Sequence, residues 1–414
     1  MNIKQQLLKT SRLTWWVAGL SVMMIAGVIC GLIVFYRGLV VTNLTDLVPW
    51  GLWITIDLSS IALSAGAFTL CAVVYLLGLK QYQPVARTAT FIGIIGYSMA
   101  MFCLLLDIGR PERFWYAFVF WNPHSVLWEV TMCVGLYFGV LTLETLPIFG
   151  RAPWLQRCWP RLAYWLARVH HYAPILAIAG LGLSMLHQSS LGATYGVLKA
   201  KPIWFRPDLS VLFIISAMAG GISLTVLASM LATYLTPKAH VDDNLLERLA
   251  HVVGWVLVGY LYFRFWEALS MTYTYQPGRT EGLQLITKGP LSFNFWVLEI
   301  FLGTVIPIVF LLNNRIRAKP RVRILALALV VIGLVAYRWD VNLAGQLVVL
   351  TYSPQEIVAR FTHYVPSWIE IISGAGVVAF GLLAFTLGVK FLNIVDHRGD
   401  IHATEAQPVL SSAD

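Results

Sequence analysis

Ten apolar runs, at residues 14–36, 51–79, 88–108, 125–148, 164–187, 209–235, 249–273, 294–312, 324–337 and 368–394, set the limits on what this chain can fold into. Crossing the hydrocarbon core of a bilayer takes about 20 residues of α-helix, and most of the runs are that long. No water reaches the backbone in that core, so a spanning segment must satisfy its own N–H and C=O groups as a helix. Composition agrees: 58% of residues are apolar and 12% are charged, against roughly 25% charged in a soluble domain. The expected fold class is an all-α integral membrane protein of about ten transmembrane helices. The segments between runs are too short for a soluble domain with a chemistry of its own. The ninth run is the shortest and the weakest span. The first follows Lys4, Lys9 and Arg12, is too long for a signal-peptide core and lacks a small-residue cleavage site, so it reads as a retained helix.

Ten crossings put both ends on one side. The loops on that side hold 18 Lys and Arg and those on the other side 10, so by the positive-inside rule both termini face the cytoplasm. The net charge of +9 therefore reads as topology, carried most by Arg315, Arg317, Lys319, Arg321 and Arg323, and not as a nucleic-acid surface. The division is a cytoplasmic N-terminus at 1–13, a membrane domain at 14–394 and a polar, disordered cytoplasmic tail at 395–414. A weak internal repeat runs through it. Pro123-His124-Ser125 leading to Trp128-Glu129 resembles Pro290-Leu291-Ser292 leading to Trp296 and Glu299, with the serine as N-cap in each. Spans two and six share a small-residue patch, Ser64-Ala65-Gly66-Ala67 and Ala219-Gly220-Gly221, of the kind that lets helices approach closely. Two four-helix bundles in the same orientation are expected, spans two to five (about 51–187) and six to nine (about 209–337), with single flanking helices besides.

Ionisable side chains within spans cost about 2.5–3.5 kcal/mol each on insertion scales, so each needs a reason. In the first bundle Asp57, Asp107, Glu129 and His187 are expected toward the outer, non-cytoplasmic side, with His124, Arg110 and Arg113 beside them in one layer about 10 Å deep. Carboxylates and imidazoles together can pass protons near neutral pH. The structural alternative is ion pairing, Asp107 with Arg110 and Asp57 or Glu129 with Arg113. The second bundle has its own outer set, Arg264, Glu267, Glu299, Arg338 and Asp340, with Glu370 in span ten, and an ion-pair network serves equally well there. Deeper hydroxyls and Glu144, with Tyr137, Thr131 and Tyr97, suggest an inward proton path, although hydroxyls in helices more often bond their own backbone.

Five scattered cysteines, with no CxxC, read as buried hydrophobes. His170 and His171 are adjacent on one helix and His187 and His251 lie at other span ends, which gives no facing pair for haem b. No Walker A, GxGxxG or HExxH sequence is present. Neither haem, flavin, iron–sulfur cluster nor metal is expected in this chain.

The segments Pro49-Trp50-Gly51-Leu52-Trp53, Asp57-Leu58-Ser59-Ser60, Asp107-Ile108-Gly109-Arg110-Pro111-Glu112-Arg113-Phe114-Trp115, Asn122-Pro123-His124-Ser125-Val126-Leu127-Trp128-Glu129, Gly289-Pro290-Leu291-Ser292 and Arg338-Trp339-Asp340-Val341-Asn342 resemble the NrfD/PsrC family of quinone-interacting membrane subunits, in its ten-span, HybB-like branch. The resemblance runs from about residue 10 to 395. It implies a subunit of a respiratory oxidoreductase in the bacterial inner membrane, working in electron transport of the anaerobic type. Such a subunit exchanges electrons between a membrane quinone, menaquinone or ubiquinone, and an extracytoplasmic four-cluster ferredoxin-like iron–sulfur subunit that serves a larger redox subunit. It is not catalytic alone. It further implies quinone binding and proton exchange at Asp57, Asp107, His124, Glu129 and His187, with Arg110 and Arg113 supplying supporting charge or partner contact. Two other readings remain open: an ion-coupled secondary transporter, whose charges would gather at broken helices near the bilayer centre, and a purely structural membrane anchor.

Overall fold

A computed structural model of the chain describes residues 3–66, 69–70, 74, 78–235, 241–392 and 394. Nine described helices are long and apolar enough to cross a membrane. With a shorter apolar helix in the second run they give ten elements in chain order: α1 (Ile3–Arg37), α2 (Leu52–Leu63), α3 (Gln83–Asp107), α4 (Val126–Gly150), α5 (Ala173–Gly196), α6 (Asp208–Leu235), α7 (Asp243–Ser270), α8 (Asn294–Leu312), α9 (Pro320–Leu347) and α10 (Trp368–Phe391). The inner half of the second predicted span falls partly on residues 67–68, 71–73 and 75–77, and the expected polar tail on 395–414, both outside the described residues.

Helices α2 to α5 pack as one group and α6 to α9 as another, joined where α6 and α9 meet α2 and α6 meets α5. Ala65 and Gly66, just past the end of α2, meet Gly221 of α6 at that joint: a Cβ added to Gly221 would stand 2.8 Å from the Ala65 carbonyl carbon and 3.1 Å from Gly66 Cα. Both flanking helices lie on the side of the first group. α1 packs along α10, and α10 packs on α3 and α2 of the first group. Gly27 and Gly376 allow that crossing, since a Cβ on either would lie 2.6 Å from the other's Cα.

Three boundaries differ from expectation. The short ninth run is a complete 28-residue helix: its polar outer third, from Arg338 to Gln346, is buried against other helices, and hydropathy alone misreads such residues as loop. Span five begins with a helix at Pro160–Arg168 and a 3₁₀ turn at Val169–Tyr172, then continues nine residues past His187 to Gly196. Ser125 caps α4 as expected, accepting from Trp128 N at 3.3 Å, but Ser292 does not cap α8; its N–H bonds Gly289 O in a turn, and residues 294–305 are wound as a π-helix. Between α9 and α10 the chain forms an antiparallel hairpin, β1 (Val348–Tyr352) with β2 (Ile357–Phe361), that the sequence did not suggest.

Several motif residues are structural. Asn342 Nδ2 donates to the carbonyls of Trp50 and Gly51 (3.0 and 3.1 Å), and Gln346 brackets Trp50 through both its N–H and its carbonyl (2.9 and 2.8 Å). The second bundle thereby holds the entrance of α2. Gly109, at φ 70°, turns the chain at the end of α3 where a side chain would be strained. Glu370, fully buried, accepts from the N–H groups of Asn43 (3.0 Å) and Ser367 (2.8 Å) and from the Tyr364 hydroxyl, which in turn accepts from Leu52 N at 2.9 Å. Burial and that bond to Glu370 hold the Tyr364 phenol well above its ordinary pKa.

Candidate functional site

The first bundle gathers polar side chains from all four of its helices. Asp57, on the second turn of α2, is 4% exposed. One turn further along, Ile61 O accepts from Nε2 of Gln188 on α5 at 3.1 Å, which brings the neighbouring His187 against α2. His187 is fully buried, and its Nδ1 stands 2.7 Å from the hydroxyl of Tyr97 on α3. The Tyr97 ring meets Tyr137 of α4 edge-on, with centroids 4.8 Å apart. When the phenol donates to Nδ1, Nε2 carries the ring proton and becomes a donor aimed into the bundle.

Polar atoms around this pair are left over. Asp57 Oδ1, His187 Nε2, Gln188 Oε1 and Asp107 Oδ1 are buried without hydrogen-bond partners. An unsatisfied buried polar atom costs about 1–3 kcal/mol, so a group of them between helices marks a place built for a polar occupant. Asp57 and Asp107 lie within electrostatic reach of each other, and Tyr195 lies within reach of both. Among the described residues neither aspartate is in an ion pair, and Arg113 stands beside Glu112 at 3.8 Å. The pairing of Asp107 with Arg110, and of Asp57 or Glu129 with Arg113, is therefore absent.

The expected single layer is split. Asp57, Tyr97 and His187 are deep: His187 is nine residues from the outer end of α5, or about 13 Å at helical rise. Asp107 closes α3 above them, half-buried. Glu129 is half-buried in the first turn of α4, whereas His124, Arg110 and Arg113 are exposed on the loop between α3 and α4. Of the suggested inward path, Thr131 is half-buried and donates to Leu127 O of its own helix at 2.9 Å. Tyr137 and Glu144 flank one helix position, since a Cβ on Gly180 would lie 3.6 Å from the Tyr137 ring and 3.8 Å from Glu144 Oε1. Tyr97 and Gln188 belong to the cluster itself. The signal for Tyr97 was a hydroxyl in mid-span, which needs a partner in hydrocarbon. Gln188 lies one residue beyond His187, where hydropathy ends the fifth apolar run, and the helix itself continues to Gly196.

Arg264, Glu267 and Glu299 of the second bundle answer one another, while Asp340 Oδ2 and Arg338 Nε and Nη1 have no hydrogen-bond partner. Arg264 reaches Glu299 through Nε (2.7 Å) and Nη2 (3.1 Å), Tyr260 donates to the same carboxylate at 2.7 Å, and Glu267 pairs with both Arg264 and Arg206. Arg338 stacks on Phe213, 3.7 Å from the ring centroid, and donates to Phe213 O and Ser216 Oγ at 3.1 Å.

Fold and cluster together define a class: a multi-pass, all-helical membrane protein with a buried aspartate, histidine and tyrosine group within its first bundle and its charge pairs in the second. Residues 40–350 match the family model described as Polysulphide reductase, NrfD, and the chain belongs to that family. It is similar to the menaquinone reductase integral membrane subunit of Nitratidesulfovibrio vulgaris, at 30% identity over 95% of this chain and 94% of that one. It is also similar to the probable Ni/Fe-hydrogenase 2 b-type cytochrome subunit of Escherichia coli (28%, over 89% and 90% of the two chains) and to the Hdr-like menaquinol oxidoreductase integral membrane subunit of Archaeoglobus fulgidus (26%, over 86% and 87%). The matched range leaves out α1 and α10, the pair that pack on each other.

Proposed function

We propose that this chain is the quinone-reactive membrane subunit of a respiratory oxidoreductase complex in the bacterial inner membrane. It passes electrons between menaquinone or ubiquinone and an extracytoplasmic four-cluster iron–sulfur subunit, which serves a larger redox subunit. The observation that carries the reading is the Tyr97–His187 pair, with Asp57 within electrostatic reach of Tyr97 and with His187 Nε2 and Asp57 Oδ1 buried without partners in the first bundle. The names of the similar proteins, a menaquinone reductase subunit among them, support the same ligand class.

Converting a quinone to its quinol consumes two electrons and two protons, and the substrate's ring carries the electron chemistry. Residues of this chain bind and move protons. His187 Nε2 donates to one ring oxygen while Tyr97 fixes the imidazole through Nδ1. Asp57 exchanges the proton at the second oxygen, and Asp107 above it relays protons toward the outer side. Glu129 stands one turn into α4 as a further carrier. His124, Arg110 and Arg113, being exposed, suit contact with the extracytoplasmic partner better than contact with a buried ring. Oxidation of quinol runs the same transfers in reverse.

The chain holds no haem in this reading. A b-type haem needs two imidazoles facing each other, and His187 is engaged by Tyr97 while His251 stands 2.8 Å from Arg317 Nη1 and 3.2 Å from Trp255 Nε1. A reduced-minus-oxidised spectrum of the separately purified subunit should show no α-band, and a stoichiometric band would contradict this. The main test uses His187→Ala and Asp57→Asn in the intact complex. Loss of a positioned proton donor or acceptor lowers rate by about 10²-fold or more, so quinone turnover should fall by that much with the subunits still co-purifying. Unchanged turnover in an intact complex would make the chain an anchor only.

A further inference from the structure

At the end of the first bundle away from Asp107, which the excess of Lys and Arg assigns to the cytoplasm, α3, α4 and the 3₁₀ turn before α5 enclose a cavity of about 70 Å³. That is room for several water-sized spheres, and so for a phosphate ester. Arg87 of α3, Arg151 at the end of α4 and His170 of the turn line one side, and Leu143, Pro147 and Leu176 line another. Arg87 and Arg151 stand within electrostatic reach of His170. Glu144 also lines the cavity, but two arginines and an imidazole against one carboxylate leave the wall positive. Arg87 is half-buried while Arg151 and His170 are exposed, so the cavity opens at the surface. Leu143 is exposed too, which carries the apolar wall out toward the acyl chains of a bilayer.

The surroundings extend the charge. Between Glu144 and Asp208 the sequence has no Asp or Glu, and residues 151–171 hold Arg151, Arg157, Arg161, Arg168, His170 and His171. The helix Pro160–Arg168 packs across the end of α4, where a Cβ on Gly150 would lie 2.6 Å from Ala167 N and 2.8 Å from Ala163 O. Its other face turns out Arg161, Tyr164, Trp165 and Arg168, all exposed. Arg168 lies over the rings of Tyr164 and Trp165, 5.5 Å from each centroid, and donates to the Tyr164 hydroxyl at 3.1 Å. Among the described residues, Arg157, Arg161 and Arg168 are in no ion pair. The 24 residues of α5 suffice to cross the hydrocarbon core, so the helix and turn that precede it stand at its edge. Arginine, tryptophan and tyrosine on one face of a short amphipathic helix suit that layer of headgroups. A soluble anion would use the cations and leave the apolar wall bare; an anionic amphiphile uses both. A phosphatidylethanolamine head would bring its ammonium into a wall that is already positive, and like charges repel.

We propose that this cavity, with the arginine face beside it, binds an anionic phospholipid: the lipid phosphate accepts from Arg87, Arg151 and His170, and an acyl chain lies along Leu143, Pro147 and Leu176. The site stands on this geometry and is independent of the quinone reading.

Native mass spectrometry tests it on the full chain in its complex, released from nanodiscs of equal phosphatidylglycerol and phosphatidylethanolamine. The subunit should retain phosphatidylglycerol in preference to phosphatidylethanolamine, and inorganic phosphate in the buffer should not displace it. Arg87→Gln combined with Arg151→Gln should reduce the retained phosphatidylglycerol at least fivefold. Arg315→Gln combined with Arg321→Gln, in the basic segment at the start of α9, should leave it unchanged. No preference for phosphatidylglycerol, retention indifferent to the Arg87 and Arg151 substitutions, an equal loss in the Arg315 and Arg321 variant, or displacement by inorganic phosphate would each overturn the proposal. Should the Arg87 and Arg151 variant fail to assemble, Arg161→Gln with Arg168→Gln, on the exposed face, decides by the same measure.

Discussion

Tyr97 and His187 show how little sequence separation says about neighbourhood in a bundle. Ninety positions apart, they share one 2.7 Å hydrogen bond. Tyr97→Phe removes that bond with almost no change of volume, so the helices should pack as before while the imidazole loses its orientation. Quinone turnover of the complex is expected to fall about tenfold, less than for His187→Ala, because a positioning group is lost and the proton donor is kept. Side-by-side steady-state assays of the two variants check this, and equal losses would make Tyr97 a proton carrier in its own right. The candidate set was half legible at this scale. Asp57, Asp107 and His187 stood out as ionisable groups in apolar runs. Tyr97 and Gln188 did not, since a tyrosine or an amide in a span has ordinary structural explanations. His124 was drawn in by a motif that places it on an exposed turn.

At the level of the helix, small residues decide where bundles meet. Gly66, just past the end of α2, and Gly221 of α6 let the two bundles touch backbone to backbone. Gly221→Leu forces the two bundles apart, and overpacking of that kind destabilises by about 1–3 kcal/mol. A lower thermal transition of the detergent-solubilised protein would show it, whereas Gly139→Leu, where a Cβ meets nothing within 4 Å, should leave the transition in place. The patch itself was readable as small residues. That the two patches face each other was not, because repeats in sequence do not state which copies touch. The full length of α9 was hidden for a related reason: Arg338, Asp340, Asn342 and Gln346 look like loop until their partners on other helices are known.

Across the whole molecule, α10 and the segment that leads into it, through Tyr364, act as a strap over the entrance of α2. Glu370, Tyr364 and Leu52 N form one chain of hydrogen bonds that crosses from the last helix to the second. Tyr364 is a phenol held neutral, with its folded pKa above the ordinary value of 10.0. Its contribution is therefore complete below about pH 10, the unfolded value, and is lost as pH rises toward the folded one. Thermal stability of the wild type should drop more steeply above pH 10 than that of Tyr364→Phe; parallel curves would refute the role. Orientation is tested separately: reporter fusions at the two ends should both report the cytoplasmic side, as the excess of Lys and Arg on that side requires.

The sequence alone determined that this chain crosses a membrane about ten times, that its fold is all-helical and that costly ionisable groups stand within its spans. Each of these follows from local chemistry, namely backbone hydrogen bonding without water and the desolvation of charge, which a window of about 20 residues already contains. Tertiary structure alone decided which of those groups meet. It set Asp57 and His187 beside Tyr97 without counter-charges, gave Arg264 its two glutamates, and packed α1 on α10 across almost the full chain length. Such pairings depend on helix rotation and on close approach at Gly66, Gly221, Gly27 and Gly376, quantities set by the packing of all the helices at once.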